Sequence, residues 1–298
     1  MSVDKVQKLT LIGLIVSIIT ILAGAVVRAT GSGNGCGASW PKCNGSFIPE
    51  VTAAPTLIEF SHRAISGILL IITLTLFFIS RRYLSTELYK KNITLLTFFV
   101  VLEAVIGMVI VLFELVANDA SFPRVIAVPI HLVNTFSLLA FYLISYCVLK
   151  FQPDGFSFYL GKRFILTCVL FFLVGMTGSI TALADALYPS ENFLQGFYMD
   201  LDSSSSVLTR IRILHPMTAV ILLFWILFQT RDFKTLKIKE FNYLKGIAIS
   251  ISLIGILNVF LNINIVLSIL HLFLADILWL IYIYANIKSE INIGSKER

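Results

Sequence analysis

The sequence predicts an all-α, polytopic membrane protein of eight transmembrane helices, built as two tandem four-helix bundles related by a pseudo-twofold axis. Three observations carry this. Charged residues are only 13% of the 298 and hydrophobic ones 57%, whereas a soluble domain averages about 25% charged. The apolar residues gather into runs close to the roughly 20 residues that cross a bilayer as a helix. Motifs of the first half return in the second.

The first run, about 9–27, follows the short mixed stretch Met1 to Lys8. That stretch is too short for a transit peptide, which points to a cell membrane rather than a mitochondrial one. The run is too long for a signal h-region and lacks a small-residue cleavage site, so it reads as a retained helix. Further runs follow at about 62–80, 93–113, 126–149, 164–184, 212–230, 244–262 and 265–287. Asn262-Ile263-Asn264 reads as a tight turn between the last two.

Orientation follows from Lys and Arg. Lys5, Lys8, Arg81, Arg82, Lys90, Lys91, Lys150, Lys162, Arg163, Arg231, Lys234, Lys237, Lys239, Lys245, Lys288, Lys296 and Arg298 fall on one side. Both termini are therefore expected in the cytoplasm and the loop 28–61 outside. The net charge of +6 is a topology signal and does not point to nucleic acid.

The chain has four histidines: His62, His131, His215 and His271. Each lies near the outer end of an even-numbered run. The halves, about 1–150 and 160–298, echo one another. Thr30-Gly31-Ser32 returns as Thr177-Gly178-Ser179, Ile106-Gly107 as Ile254-Gly255, and His131-Leu132 as His271-Leu272. Two imidazoles facing each other inside a four-helix bundle make a bis-histidine heme site. Zinc is disfavoured, since no site gathers three or four N/S ligands. No run carries two histidines and none lies on the cytoplasmic side, so a transmembrane electron wire is not expected. Heme propionates need cations. Five of the outer basic residues are Arg: Arg28, Arg63, Arg124, Arg210 and Arg212.

Val27-Arg28-Ala29-Thr30-Gly31-Ser32-Gly33, then Cys36, Trp40-Pro41-Lys42-Cys43 and Glu59-Phe60-Ser61-His62-Arg63, resemble heme A synthase. The contexts of His131, His215 and His271 agree, and the resemblance covers essentially the whole chain. It implies oxidation of the C8 methyl group of heme O to the formyl group of heme A by successive hydroxylations, as part of cytochrome oxidase biogenesis. It puts His62 and His131 at the substrate heme in the N-terminal half, and His215 and His271 at a heme b cofactor in the C-terminal half. Glu59 takes the position of the family's essential acid, and Cys36 and Cys43 match its loop cysteine pair. Candidate partners are membrane lipid, the heme O synthase that supplies the substrate, and a thiol or electron-transfer protein.

The repeat allows an independent comparison of the halves. Three residues before the histidine, the first half has Glu59 and the second Arg212. A carboxylate can take a proton or stabilise a developing positive charge, and an Arg cannot act as a base. Glu59 therefore marks the N-terminal half as the reactive one. The alternative is that Glu59 only pairs with a neighbouring Arg. Cys36 and Cys43 lie in an outer loop, where a disulfide is expected, with a structural or a redox role. Cys147 and Cys168 read as inert core thiols. Glu103 and Asp276 stand in helix interiors, where a carboxylate is either functional or a hydrogen-bonded packing residue. A non-enzymatic di-heme cytochrome or heme carrier shares the four histidines but has no need of Glu59. A transporter fits less well, because no run is broken by paired Gly/Pro.

Overall fold

The computed structural model describes residues 2–50, 53–84, 86–151, 161–232 and 240–294. Its helices are α1 (Val3–Ala29), α2 (Ala54–Tyr83), α3 (Glu87–Leu112), α4 (Phe122–Phe151), α5 (Lys162–Leu187), α6 (Phe193–Leu201), the single turn α7 (Val207–Arg210), α8 (Leu214–Asp232), α9 (Glu240–Phe260) and α10 (Ile265–Gly294). Eight helical stretches are long and apolar enough to span a membrane, and no strand forms among the described residues. The protein is an all-α polytopic membrane protein. Lys234, Lys237, Lys239, Lys296 and Arg298, used above for orientation, lie outside the described residues.

Most helices run past the predicted apolar windows, because polar residues at a membrane boundary can continue a helix. α2 begins eight residues early, with Pro55 in its first turn, where the missing N–H costs nothing. His62 is therefore about two turns inside its helix. The sixth span begins with α7, a 3-10 turn (Ile211–Ile213) links it to α8, and His215 follows at once. Asn262 and Ile263 both take positive φ, 57° and 58°. The Asn264 side chain accepts the N–H groups of Val266 and Leu267 at the start of α10. This is the expected tight turn, with the added strain of a β-branched residue in left-handed backbone.

The chain divides into two compact units, Met1–Lys150 and Phe151–Arg298. In the first, α2 lies along α1 and α3. Tyr142 of α4 ties that unit together below the histidines. Its hydroxyl meets Thr73 of α2 at 2.6 Å, and its ring occupies the space a side chain on Gly13 of α1 would need. In the second unit, α5 lies along α8, and α9 along both α8 and α10. There Thr167 of α5 accepts Trp225 Nε1 at 2.8 Å and Gln229 Nε2 at 2.6 Å, both from α8. Apolar side chains such as Ile71, Phe78, Leu253 and Val266 point outward, as a lipid-facing surface requires.

Tyr142→Phe should cost the first unit only about 1 kcal/mol, the worth of one hydrogen bond in a membrane interior. Tyr142→Ala, which empties the site beside Gly13, should cost about 3 kcal/mol or more. Unfolding in a denaturing-detergent titration measures both. Equal losses would show that the hydroxyl, not the ring, holds α4 in place.

Candidate functional site

Each histidine lies against a glycine on the odd helix before it. A Cβ on Gly24 of α1 would stand 3.0 Å from His62 Cε1, one on Gly178 of α5 2.9 Å from His215, and one on Gly255 of α9 3.0 Å from His271. Gly107 of α3 faces His131 at 3.9 Å. The glycine is thus a notch that admits an imidazole between two helices. The pairing corrects one of the sequence echoes. Gly178 corresponds by contact to Gly24, not to Gly31. Gly31 lies past α1 in left-handed backbone, φ 66°, with open space where a Cβ would point.

In two cases an acceptor four residues before the glycine meets the ring. The Ile251 carbonyl lies 3.1 Å from His271 Nδ1. For His131 the acceptor is the Glu103 side chain, 3.1 Å from Nδ1. The Nδ1 atoms of His62, His131 and His215 are buried without a well-aligned hydrogen bond. An Nδ1–H turned to an acceptor leaves Nε2 as the lone-pair nitrogen.

In the second unit the two rings meet as a pair. His215 and His271 have centroids 6.1 Å apart. One metal held by both at the usual metal–imidazole length of about 2 Å needs rings at roughly this separation. Among the described residues no three His, Cys, Asp or Glu side chains converge on one point. Two axial imidazoles suit a porphyrin iron, which brings its own equatorial nitrogens. The His215–His271 pair therefore fits a heme.

Glu59 and Arg63 turn toward the loop between α1 and α2. Glu59 Oε2 accepts the Cys36 N–H at 2.8 Å. Its Oε1 accepts Arg63 Nε at 3.1 Å and Nη2 at 2.5 Å. Arg63 Nη1 donates to the carbonyls of Ser39 and Lys42. One turn earlier, Thr56 donates to the Gly35 carbonyl at 2.9 Å. Gly35 lies so close to the Pro55 carbonyl that any Cβ would overlap it. Thr56, Glu59 and Arg63 form one stripe of α2 on which the loop is seated. Cys36 and Cys43 are joined by a disulfide within that loop, and both are buried. Although Glu59 and His62 lie one turn apart on α2, the loop takes the carboxylate and the notch takes the imidazole.

Arg212 plays the opposite-charge part in the second unit. Its Nε donates to Asp200 at 2.8 Å, its Nη1 to Asp185 at 2.8 Å and its Nη2 to the Gly196 carbonyl. It thereby gathers the end of α5 and α6 around the base of α8. Every guanidinium nitrogen of Arg63 and Arg212 already donates inside the chain. Arg124 Nη1 likewise serves the carbonyls of Ala117 and Asp119. Of the five arginines predicted for propionates, Arg28 is half-buried at the end of α1 and Arg210 is exposed.

Glu103 was unassigned by motif, and the structure brings it to His131. Asn134 of α4 donates to its other oxygen at 2.6 Å. Aligning Gly107 with Gly255 puts Glu103 opposite Ile251, which is the signal in the sequence that could have found it. Asp276 is fully buried, and neither of its oxygens has a hydrogen-bond partner among the described residues. Cys147 and Cys168 are free thiols.

Known proteins resemble this chain along most of its length. A protein named Protoheme IX farnesyltransferase from Thermus thermophilus is 34% identical over 295 residues, covering 94% of this chain and 47% of the relative. This chain thus spans about half the length of that relative. Proteins named Heme A synthase match nearly end to end. The one from Lysinibacillus sphaericus is 27% identical over 276 residues, 88% of each chain. The one from Bacillus mycoides is 25% identical over 299 residues, 94% of this chain and 92% of the relative. The family pattern COX15-CtaA, cytochrome oxidase assembly protein, matches residues 7–283, a stretch holding all four notched histidines, and the chain belongs to that family.

Proposed function

We propose that the protein is a heme A synthase, an oxidoreductase that converts the C8 methyl group of heme O to the formyl group of heme A by successive hydroxylations. The observation that carries this reading is the facing pair His215 and His271, ring centroids 6.1 Å apart, each seated in a glycine notch. The name Heme A synthase on relatives of similar length supports it. The farnesyltransferase name on the longer Thermus relative also fits, since heme O is a prenylated heme.

In this reading His62 and His131 hold the substrate heme, and His215 and His271 a resident heme b. Heme b, when bound, supplies a one-electron redox centre. The chain's own residues bind and orient. The notches fix the rings and hold Nε2 toward the iron, and the propionates would be met from among Arg28, Arg63, Arg124, Arg210 and Arg212. Glu59 keeps its place in the reactive half in a narrower form. It holds the disulfide loop and Arg63 beside His62, and it would have to release the Cys36 N–H or Arg63 to take a proton. The protein sits in the cell membrane with both termini cytoplasmic and the histidines toward the outer face. There the disulfide loop meets an oxidising compartment and any thiol or electron-transfer partner. Heme O synthase is the natural source of substrate.

One observation favours a second reading, a non-enzymatic di-heme cytochrome or heme carrier: both Glu59 oxygens are already engaged. Pigment extracted after co-expression with a heme O supply decides between them. Heme A or a hydroxylated heme O supports the enzyme, and heme O recovered unchanged overturns it.

Three further results are expected from the same assay. His215→Ala and His271→Ala should lose heme b, while His62→Ala and His131→Ala should keep it and lose product. The reverse pattern would exchange the roles of the units. Gly178→Leu should behave like His215→Ala, since the added side chain occupies the ring's place. Retention of full heme b would show that the notch is dispensable. Glu59→Ala should lose heme A and keep heme b. It leaves Arg63 buried without its counterion, a break that costs about 3–5 kcal/mol, so the disulfide should also become more open to reductants. Normal product from the folded variant would remove Glu59 from the reaction.

A further inference from the structure

We infer that Glu103 is a positioning residue for the iron held at His131. It acts through the His131 Nδ1–H, fixing the ring and making Nε2 a stronger donor than His271 offers. The inference rests on the proposed role of His131 as an axial ligand.

Four observations converge on it. Glu103 Oε1 lies 3.1 Å from His131 Nδ1. Asn134 holds the other oxygen at 2.6 Å and gives its second proton to the Phe99 carbonyl at 2.8 Å. Asn134 is 4% exposed, while the Glu103 and His131 side chains are 19% and 30% exposed, so the contact is anchored from its buried side. His131 and Asn134 are three apart on α4 and so share one side of that helix. The His131 ring also stands 3.9 Å from the Gly107 notch, against 2.9–3.0 Å in the other three. That additional space is where the Glu103 side chain reaches the ring.

At the corresponding place His271 has a backbone carbonyl, that of Ile251. A carbonyl is a neutral acceptor. A carboxylate draws the Nδ1 proton more strongly, which raises the basicity of the opposite nitrogen and of any metal bond it makes. A stronger axial donor favours ferric over ferrous iron, so the heme held in the first unit is poised at a lower reduction potential. The difference lies between a side chain and a main chain, so a point substitution can remove it without disturbing the other sites.

The test uses the full chain, purified with heme and matched for heme content. Glu103→Gln keeps an acceptor of the same size and removes the carboxylate. The midpoint potential of the His62–His131 heme should move positive, with altered low-spin electron paramagnetic resonance g-values, while the His215–His271 heme is unmoved. Asn134→Ala removes an N–H donor from the carboxylate, leaves its charge less neutralised and should shift the same heme slightly the other way, to a more negative potential. It serves as the second test where Glu103→Gln yields little folded protein. An unchanged potential and unchanged g-values in a folded, heme-loaded variant overturn the role of Glu103. The His131→Ala control separates this from the ligand assignment. If that variant leaves the low-spin signal of the first-unit heme intact, His131 is not a ligand and the underlying reading fails instead.

Discussion

The approach of an imidazole to a helix backbone through a missing side chain is the contact on which the rest depends. A histidine in a membrane interior is costly unless its polar atoms are met. Packing it against a glycine brings the neighbouring helix close to the ring, and at His271 and His131 an acceptor four residues earlier lies 3.1 Å from Nδ1. The same closeness sets the spacing of α1 with α2, α5 with α8, and α9 with α10. Helix packing and ring orientation are thus one constraint. In membranes small residues commonly serve to bring helices together, and here the same small residues decide which nitrogen each histidine presents.

Above the notches, each unit fastens an outer loop to the helix that carries its histidine. In Met1–Lys150 the fastening is an acid, Glu59, with Arg63 reaching over it to the loop carbonyls. In Phe151–Arg298 it is Arg212 drawing in Asp185 and Asp200. Both sets are largely shielded from solvent, so their strength depends on mutual geometry more than on screening. The loop over the first pair also carries the disulfide, which shortens its path before Glu59 seats it.

Much of this was legible in the sequence. The eight spans followed from run length, the histidine set from its count and placement, and the Cys36–Cys43 bond from the loop's sidedness. What escaped were contacts that depend on how helices rotate about their axes. Gly31 and Gly178 share a tripeptide, yet only the second faces a histidine, because Thr30-Gly31 already lies past the end of α1. Glu59 and His62 sit one turn apart on the same helix, but a loop seated on one edge and a helix on the other pull them to different partners. Glu103 and Asn134 are 31 residues apart, and no local periodicity connects them.

The opposite signs of the two loop fastenings restrict how the halves of this chain can be rearranged. Two tandem units of one design invite shuffling, in which a loop from one half replaces that of the other. Here such a chimera would bring Asp185 and Asp200 against Glu59, or leave Arg212 facing the backbone N–H of Cys36. Either exchange sets like polarity against like in a shielded place, where an unmatched charge is destabilising by several kcal/mol. Loop and helix base therefore have to be inherited together, and the two halves are free to diverge in sequence while remaining unable to trade parts.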